Sequence, residues 1–198
     1  MNRYNIIQNL IYDNDYKHYL EIGLGDSSNI NKICCDYKTG VDTEEQLLNQ
    51  GYDFYKMTSD EYFLKHTNKK FDIIFIDGLH HADQVYRDIN NSLSILNKNG
   101  TIVCHDMNPY KERIQKVPRE TKIWTGDCWK AWVKIREERK DLEMFVVDTD
   151  FGCGIIKFGS QKLLKRDKEL TYKNLDENRK EWLNLIGVEE FLRKITGD

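Results

Sequence analysis

The chain has 198 residues, with 30 basic and 33 acidic side chains and a formal net charge of -3. This length fits one α/β domain with a substantial core, and an apolar fraction of 39% excludes a disordered chain. The balanced charge gives no reason to expect a nucleic acid or an anionic membrane surface as partner. No apolar run approaches the roughly 20 residues that span a bilayer, so we expect neither kind of partner.

Cysteine usage and the N-terminal residues bear on the cellular compartment. The five cysteines are Cys34, Cys35, Cys104, Cys128 and Cys153, an odd number without a CxxC pair. That pattern is typical of reduced thiols in a cytosolic protein. The first 20 residues are too polar for the central part of a signal peptide. We therefore expect a cytoplasmic protein.

Short apolar runs alternate with longer helical patterns along the chain. In chain order, strands are predicted at residues 18–24, 39–43, 53–57, 71–77, 101–106, 144–150 and 153–159, and helices at 81–96 and 125–140. This alternation is typical of crossover units, and it predicts an α/β fold with a mostly parallel sheet and helices on both faces. A turn is expected at Asn99-Gly100, between the fourth and fifth strands that bracket the helix at 81–96.

The C-terminal part of the chain predicts two further features. The last two strands follow each other across a turn at Gly152, which favours an antiparallel hairpin at the edge of the sheet. Beyond residue 160 the chain is strongly charged and then resumes an apolar stripe at Trp182, Leu185, Ile186 and Leu192. We assign residues 1–159 to the main domain and residues 160–198 to a helical appendage of it. The appendage is expected to pack on the domain or to join two copies in a homo-oligomer.

The loop after the first strand has the composition of a ligand-binding loop. The strand ends in Glu21, Gly23 and Gly25 follow, and Ser27 and Ser28 come next. Glycines suit a loop that a ligand approaches closely. A dinucleotide fingerprint needs a third glycine where Ser28 stands, which disfavours a bound pyrophosphate and therefore NAD.

Acidic and hydroxyl side chains follow the second and third strands. Asp42 can accept hydrogen bonds from a ribose diol or can cap a helix at residues 44–48. Ser59 and Asp60 can bind an adenine edge, cap a helix at residues 61–66, or do both. An acidic glycine loop with an acid after the next strand suits a ligand that has a ribose and a charged amino group but no phosphate. S-adenosylmethionine (SAM) is such a ligand, and its predicted contacts are Glu21, Gly23, Gly25, Ser27, Asp42, Thr43, Ser59, Asp60 and Asp77.

Asp77 and Asp106 each close a buried strand, and His105 stands directly before Asp106. The carboxyl ends of strands in an open α/β sheet meet at the ligand crevice. Two carboxylates in one crevice repel each other unless a cation or a shared proton lies between them. Asp77, His105 and Asp106 are therefore candidate ligands for a divalent cation such as Mg²⁺, with Asn108 or water as alternatives for the third ligand.

His80 and His81 follow Asp77 closely in the sequence. His80 can take a proton from a hydroxyl group near neutral pH, or it can fix the loop after Asp77 through a local hydrogen bond. His81 has the same acid–base chemistry or simply begins the predicted helix at 81–96. The candidate catalytic residues are therefore Asp77, His80 and Asp106. The aromatic cluster at residues 124–129 can stack on a sugar ring or belong to the core, and the long loop at residues 107–122 is expected to close over an acceptor.

These motifs together resemble a family of Rossmann-like methyltransferases in which a strand ends in Asp-Gly-x-His, a helix carries Asp, and a later strand ends in His-Asp. The matching positions are Asp77, Gly78, His80, Asp88, Gly100, His105 and Asp106, with Asn99 in place of the first glycine of a Gly-Gly pair. With EIGLGDSS, GVDT and TSDEYF in the same order, the resemblance covers roughly residues 15–158. The family is related to macrocin-type sugar O-methyltransferases and to proteins named cephalosporin hydroxylases, and it is more distantly similar to catechol O-methyltransferases.

The resemblance implies a SAM-dependent enzyme with a Rossmann-like methyltransferase fold. It also implies O-methylation of a small hydroxylated acceptor, such as a sugar or a sugar-bearing metabolite, with assistance from Mg²⁺. Catechol-type enzymes carry Asp-Asn where this chain has His105-Asp106, which leaves the third metal ligand open. Two alternatives remain: a non-catalytic relative that binds the cofactor or a partner, and a nucleotide-sugar or NAD enzyme on a similar sheet.

Overall fold

The computed structural model describes residues 1–46 and 51–197, which fold around an eight-stranded sheet. The strands are β1 (His18–Ile22), β2 (Tyr37–Asp42), β3 (Asp53–Lys56), β4 (Phe71–Ile76), β5 (Leu96–Cys104), β6 (Leu142–Val147), β7 (Cys153–Phe158) and β8 (Leu185–Ile186). Their order across the sheet is β3-β2-β1-β4-β5-β7-β6-β8. Only β7 is antiparallel to its neighbours β5 and β6 among the described pairs. The predicted α/β fold with a mostly parallel sheet is therefore confirmed.

Helices cover both faces of this sheet. They are α1 (Arg3–Asn14), α2 (Ser28–Lys32), α3 (Ser59–Lys65), α4 (Ala82–Ile95), α5 (Cys128–Glu138), α6 (Tyr172–Leu183) and α7 (Val188–Thr196). Alternate residues of each strand point to opposite faces. Leu20 and Ile74 join an apolar cluster with α3 to α6, whereas Tyr19 and Ile73 join a second cluster with α1, α2 and α7.

The C-terminal segment completes the sheet as well as covering it. The antiparallel β6–β7 hairpin predicted at the edge of the sheet is confirmed, and the two-residue strand β8 pairs in parallel with its outer strand β6. Trp182 and Leu183 of α6 are buried in the first apolar cluster, and Phe191 of α7 is buried in the second. The apolar stripe therefore packs largely on the chain itself. The division of the chain at residue 159 stays a prediction.

Residues 99 and 100 lie within β5, and the turn predicted there is wrong. The pairing of β4 with β5 shifts register between Phe71 and Ile73, which accommodates the extra residues as a bulge. A Cβ on Gly100 would lie 2.7 Å from the carbonyl oxygen of Asp72. Glycine is needed here because two strands approach each other closely. In the sequence, such a glycine cannot be told from a glycine in a turn.

One helix was not predicted from the sequence, and one predicted helix is only partly described. Helix α1 was not predicted, although it buries Ile6, Ile7, Leu10 and Ile11 and starts beside the ends of β5 and β6. The alternative helix at residues 44–48 lies partly outside the described residues. Among the described helices, none combines the length and the hydrophobicity that a membrane crossing requires.

Candidate active site

A crevice opens at the carboxyl ends of β1, β2, β4 and β5, where the loops after these strands meet. Gly23 lies at its centre with φ +84°, and a Cβ there would overlap the carbonyl oxygen of Asp77. This glycine therefore brings the end of β1 against the end of β4. Gly25 has φ +52° and open space around its Cα, so its requirement is the left-handed backbone rather than a close contact.

One side of the crevice is a cavity of about 430 Å³ that contains most of the residues predicted to bind the cofactor. Asp42 lines it, and the backbone N–H groups of Leu24 and Gly25 donate to Asp42 Oδ2 over 2.7 and 3.2 Å. These bonds fix the carboxylate at the cavity wall. The cavity is lined by Ile22, Gly23, Gly25, Val41, Asp42, Thr43, Met57, Thr58, Ser59, Asp77, Gly78, Leu79 and Gln84.

The loop after β3 serves as a helix cap and also lines the same cavity. Thr58 accepts from the backbone N–H of Glu61 in a capping box at the start of α3. Ser59 lines the cavity and accepts from Gln84 Nε2 over 3.1 Å. Asp60 is exposed, pairs with Arg87 at 3.4 Å, and is not among the cavity-lining residues. The predicted helix is present, but it begins at Ser59 and its cap is Thr58, so Ser59 and Asp60 are helical residues and not the cap. Adenine binding by Ser59 stays a prediction.

Ser27 lies behind the glycine loop, away from both sides of the crevice. It is buried, donates to Gln46, and accepts from the Tyr52 hydroxyl over 3.2 Å. Its neighbours Ser28 and Asn29 line the second cavity instead. The structure thus places Ser27 where it supports the loop, whereas the sequence predicted a cofactor contact.

The second cavity, of about 320 Å³, joins the first at Gly23, Gly25 and Asp77. Glu21 lies in its wall, where the Tyr19 hydroxyl and Asn29 Nδ2 donate to Glu21 Oε2, the latter over 3.0 Å. Burial raises the pKa of Glu21 to about 8, against the opposing effect of these two hydrogen bonds. The carboxyl group is therefore protonated at neutral pH until a cation pairs with it.

Glu21→Gln is expected to change how stability depends on pH. Because the folded pKa of about 8 lies above the ordinary value of 4.5, the native protein loses stability as pH rises from 4.5 through 8. Glutamine mimics the protonated acid, so the variant should exceed the wild type by a few kcal/mol, on the order of 1.4 kcal/mol per pKa unit, above pH 8. Urea unfolding at pH 5 and pH 9 measures the difference, and an equal difference at both pH values would contradict the assignment.

Asp77, His80 and Asp106 converge at the junction of the two cavities. His80 Nε2 lies 3.4 Å from Asp77 Oδ1, and His80 Nδ1 lies 3.1 Å from Asp106 Oδ2. One ligand atom from each of the three lies within 4.8 Å of the others. Burial lowers the pKa of His80, but the two carboxylates outweigh burial and raise it above its ordinary value. The three predicted catalytic residues are thus brought together.

His105 lies on the other side of these carboxylates and is buried. Its Nδ1 lies 3.2 Å from Asp77 Oδ1 and 3.3 Å from Asp106 Oδ1. Its Nε2 contacts Arg3 Nη1 at 3.0 Å and Asp150 Oδ2 at 3.6 Å. Burial lowers the pKa of His105, but the carboxylates of Asp77, Asp106 and Asp150 raise it well above its ordinary value. Both ring nitrogens are therefore engaged within the cluster.

Arg3 and Asp150 are site residues that the sequence interpretation missed. The Arg3 backbone N–H donates to Asp150 Oδ2 over 2.9 Å, and the Arg3 side chain reaches to within 4.0 Å of Asp77. Asp150 closes the strand-like run before Gly152, so the rule that located Asp77 and Asp106 could have found it. The sequence holds no comparable signal for Arg3, because only the docking of α1 brings it to the site.

Left-handed backbone residues concentrate around this cluster. Asp106, Asp150 and Phe151 have φ values of 64°, 48° and 61°. The backbone N–H of Asn108 donates to Phe151 O over 2.6 Å, which ties the turn after β6 to the loop after β5. A bulky residue such as phenylalanine rarely takes this conformation, and such outliers cluster at active sites.

Aromatic side chains form the outer rim of the second cavity. Trp124 stacks on His80 with ring centroids 5.3 Å apart and accepts from His80 Nδ1 through its carbonyl oxygen over 3.1 Å. Phe151 lines the opposite part of the rim. Trp129 is fully buried in the core, so within the cluster at residues 124–129 the predicted stacking surface is restricted to Trp124.

Two further residues near the site, His81 and the motif residue Asp88, have structural positions. His81 precedes α4 as its N-cap residue. Asp88 is buried within α4 and accepts from Gln84 Nε2 over 3.0 Å. Gln84 also lines the first cavity, so Asp88 acts on the site through Gln84.

Comparison with known proteins gives one family match and no match to a curated protein. A family model described as "Methyltransferase domain" matches residues 17–107, from the start of β1 through β5 to the residue after Asp106. A search of curated proteins gave no significant match.

Solved structures with similar folds include several O-methyltransferases. A Staphylococcus aureus protein provisionally described as a caffeoyl-CoA O-methyltransferase has 17% identity and a TM-score of 0.58, over 79% of this chain and 82% of that one. A Bacillus cereus O-methyltransferase in complex with S-adenosylhomocysteine (SAH) has 12% identity and a TM-score of 0.55, over 76% and 77%. MycE of the mycinamycin biosynthetic pathway, in complex with Mg and SAH, has 14% identity and a TM-score of 0.54, over 87% of this chain and 53% of that one.

The chain as a whole therefore has the Rossmann-like fold of these O-methyltransferase structures. Residues 17–107 match the methyltransferase family model, in agreement with the class that the sequence motifs indicate.

Proposed function

We propose that the chain transfers the methyl group of SAM to a hydroxyl group of a small acceptor, a sugar or a sugar-bearing metabolite, with the assistance of a divalent cation. The observation that carries this proposal is the convergence of Asp77, His80 and Asp106 at the junction of two cavities. One cavity has the shape and side chains for a nucleoside. The other has an aromatic rim that suits a sugar ring.

The residues of the first cavity fit SAM. The backbone N–H groups of Leu24, Gly25 and Glu44 hold the Asp42 carboxylate, which would face a ribose diol. Thr43 and Ser59 line the same cavity and would contact the adenine, and Glu21 lines the second cavity, where it would face the amino group of the cofactor. SAM supplies an electrophilic methyl group on a sulfonium sulfur, and a preformed crevice holds it in line with the acceptor.

The residues at the junction also fit a divalent cation. Asp77, His80 and Asp106 each offer one ligand atom within 4.8 Å of the others, and carboxylate with imidazole suits a hard or borderline metal. The sequence-based set of Asp77, His105 and Asp106 remains the alternative. A bound Mg²⁺ lowers the pKa of a coordinated hydroxyl group and orients it. Asp77 and Asp106 would hold the ion in both arrangements.

The proton of the acceptor hydroxyl needs a destination when the new O–CH₃ bond forms. His80 faces both carboxylates and stacks under Trp124 at the acceptor rim. It is the group placed to accept that proton when it is not a metal ligand. Asp77 is the alternative acceptor, and His105 keeps the two carboxylates in position.

A turnover assay tests the acceptor and the metal together. Formation of SAH from SAM is measured with a panel of neutral and phosphorylated sugars and catechols, in Mg²⁺ or in EDTA. We expect turnover with a hydroxylated sugar in Mg²⁺ and its loss in EDTA. Equal turnover in EDTA would remove the cation from the proposal. Cofactor binding without turnover on any acceptor would favour a non-catalytic relative.

The remaining partner prediction is a homo-oligomer through the C-terminal helices. Leu185 and Leu192 stay half-buried on the surface of this region, whereas Trp182 and Phe191 are used in the core of the chain. Light scattering at several protein concentrations would measure the oligomeric state.

A further inference from the structure

The segment between residues 110 and 122 differs in charge from the rest of the molecule. It carries five basic side chains, Lys111, Arg113, Lys116, Arg119 and Lys122, and two acidic ones, Glu112 and Glu120, in a chain whose net charge is -3. All of these basic residues except Lys116 are exposed. The segment follows Asp106 and leads directly into Ile123 and Trp124, which line the second cavity. The basic segment therefore stands at the mouth of the acceptor cavity.

Most of this positive charge is not neutralised within the part of the chain that the structure describes. Lys116 pairs with Glu120 at 3.2 Å. Arg119 and Lys122 have no carboxylate within ion-pair distance among the described residues. A solvated charge run alternates or pairs its signs, whereas here one sign collects beside a cavity.

Arg119 is held in a defined position beside the rim. Its Nε donates to Thr121 O over 2.9 Å, and its Nη2 donates to Lys122 O. Its guanidinium group lies 5.6 Å from the centre of the Trp124 ring, and that ring stacks on His80. The N–H donors that remain on Nη1 and Nη2 are preorganised for an oxyanion.

The inner wall of the same cavity carries both signs of charge. Asp26, Asp77 and Asp106 line it together with Arg3, His80 and His105. The cationic side chains there already pair with Asp77 and Asp106, so the inner wall offers less unpaired positive charge to an anionic group than the rim does. An acceptor with a hydroxyl group at one end and an anionic group at the other is therefore oriented by both ends. The hydroxyl group would point toward Asp77 and Asp106. The anionic group would lie beside Arg119, with the Trp124 ring between the two ends.

We propose that the acceptor is a phosphate-bearing hydroxylated molecule, such as a sugar phosphate, whose phosphate group binds Arg119 and Lys122 at the rim formed by Trp124. This inference rests on the proposed methyl transfer and names the acceptor class for it. Two unpaired basic side chains suit a phosphate or diphosphate group better than a single carboxylate, because a phosphate ester carries up to two charges and three acceptor oxygens.

Calorimetric titration with pyrophosphate, in EDTA and at low salt, tests the site without any need for turnover. The wild type, the double variant Arg119→Gln/Lys122→Gln and the charge-matched control Lys162→Gln/Lys165→Gln are compared, with and without SAH. We expect pyrophosphate to bind the wild type and the control alike and to bind the double variant at least about tenfold more weakly. No binding to the wild type, or equal binding to all three proteins, would overturn the proposal.

Two further measurements separate the alternatives. Glucuronate, which carries a carboxylate and no phosphate, is titrated under the same conditions. If glucuronate binds and pyrophosphate does not, the assignment to phosphate is overturned. In turnover assays, the double variant should raise the KM for a sugar phosphate about tenfold and leave kcat and the KM for SAM unchanged. Equal kcat/KM for a sugar and its phosphate would also overturn this inference, while methyl transfer itself would stand. If the wild type does not bind SAM, the proposed function itself is refuted.

Discussion

Replacing Asp106 with asparagine is expected to lower kcat/KM for methyl transfer by roughly 100-fold or more without unfolding the protein. The carboxylate lies 3.1 Å from His80 Nδ1 and 3.3 Å from His105 Nδ1, so the variant removes a charge that both histidines face. It also removes a proposed metal ligand. Asparagine keeps the size of the side chain and tolerates the φ of 64° at this position.

The matched control for this variant is Asp13→Asn, which removes one carboxylate from an exposed position at the end of α1. Both variants are compared by rates of SAH formation and by thermal unfolding. Asp77→Asn should behave like Asp106→Asn, because the two carboxylates share the same histidines. Wild-type turnover in Asp106→Asn, with an acceptor that the wild type methylates, would refute the role of the cluster.

Gly23→Ala is the second variant with a large expected effect. The residue has φ +84°, and its Cβ would overlap the carbonyl oxygen of Asp77. No side-chain rotation relieves a contact between backbone and Cβ, so the ends of β1 and β4 must separate. We expect a loss of roughly 3 kcal/mol in the free energy of unfolding, a fall in Tm of roughly 6–12 °C, and loss of SAM binding.

Gly187→Ala provides the control for that change. Gly187 has an ordinary φ of -78°, and a Cβ added there would meet no atom within 4 Å. Gly187 is the N-cap residue of α7, where alanine is less favourable than glycine, so the variant should lose only about 1 kcal/mol relative to the wild type and should keep its SAM affinity. Differential scanning calorimetry measures both variants, and a Gly23→Ala protein with wild-type Tm and SAM affinity would show that the two strand ends do not need this contact.

The sequence was sufficient for the elements whose pattern is local. The continuous apolar run that became β4 and the stripe that became α4 kept their bounds to within one residue. Asp77 and Asp106 were placed together because parallel strands end at one edge of a sheet. His80 follows from the same loop, and its contact with both carboxylates needed no further information.

What the sequence lacked was the docking of distant segments. Arg3 reaches the site because α1 packs against the second apolar cluster, and its partner Asp150 is 147 residues away along the chain. Strand β8 has two residues, too few to show any alternation. Gly100 serves a close approach of strands within β5, whereas the local pattern of Asn-Gly favours a turn.

The direction in which the Ser27 side chain points is a further feature that the sequence does not determine. The loop composition places Ser27 beside the glycines, but the left-handed backbone at Ser27, with φ 60°, turns its hydroxyl toward Tyr52. The side chains that line the crevice are those of Ser28 and Asn29. The sequence predicts a ligand-binding loop, and only the backbone conformation decides which of its residues face the crevice.

The most direct test of the assignment is calorimetric titration of the purified protein with SAM, in the presence and in the absence of Mg²⁺, beside the variants Asp42→Asn and Asp13→Asn. Asp42 is held at the wall of the first cavity by three backbone N–H groups, so its replacement should weaken binding about tenfold or more. We expect SAM to bind the wild type and Asp13→Asn with micromolar affinity, and to bind Asp42→Asn more weakly. An absence of SAM binding to the wild type under both conditions would contradict the assignment.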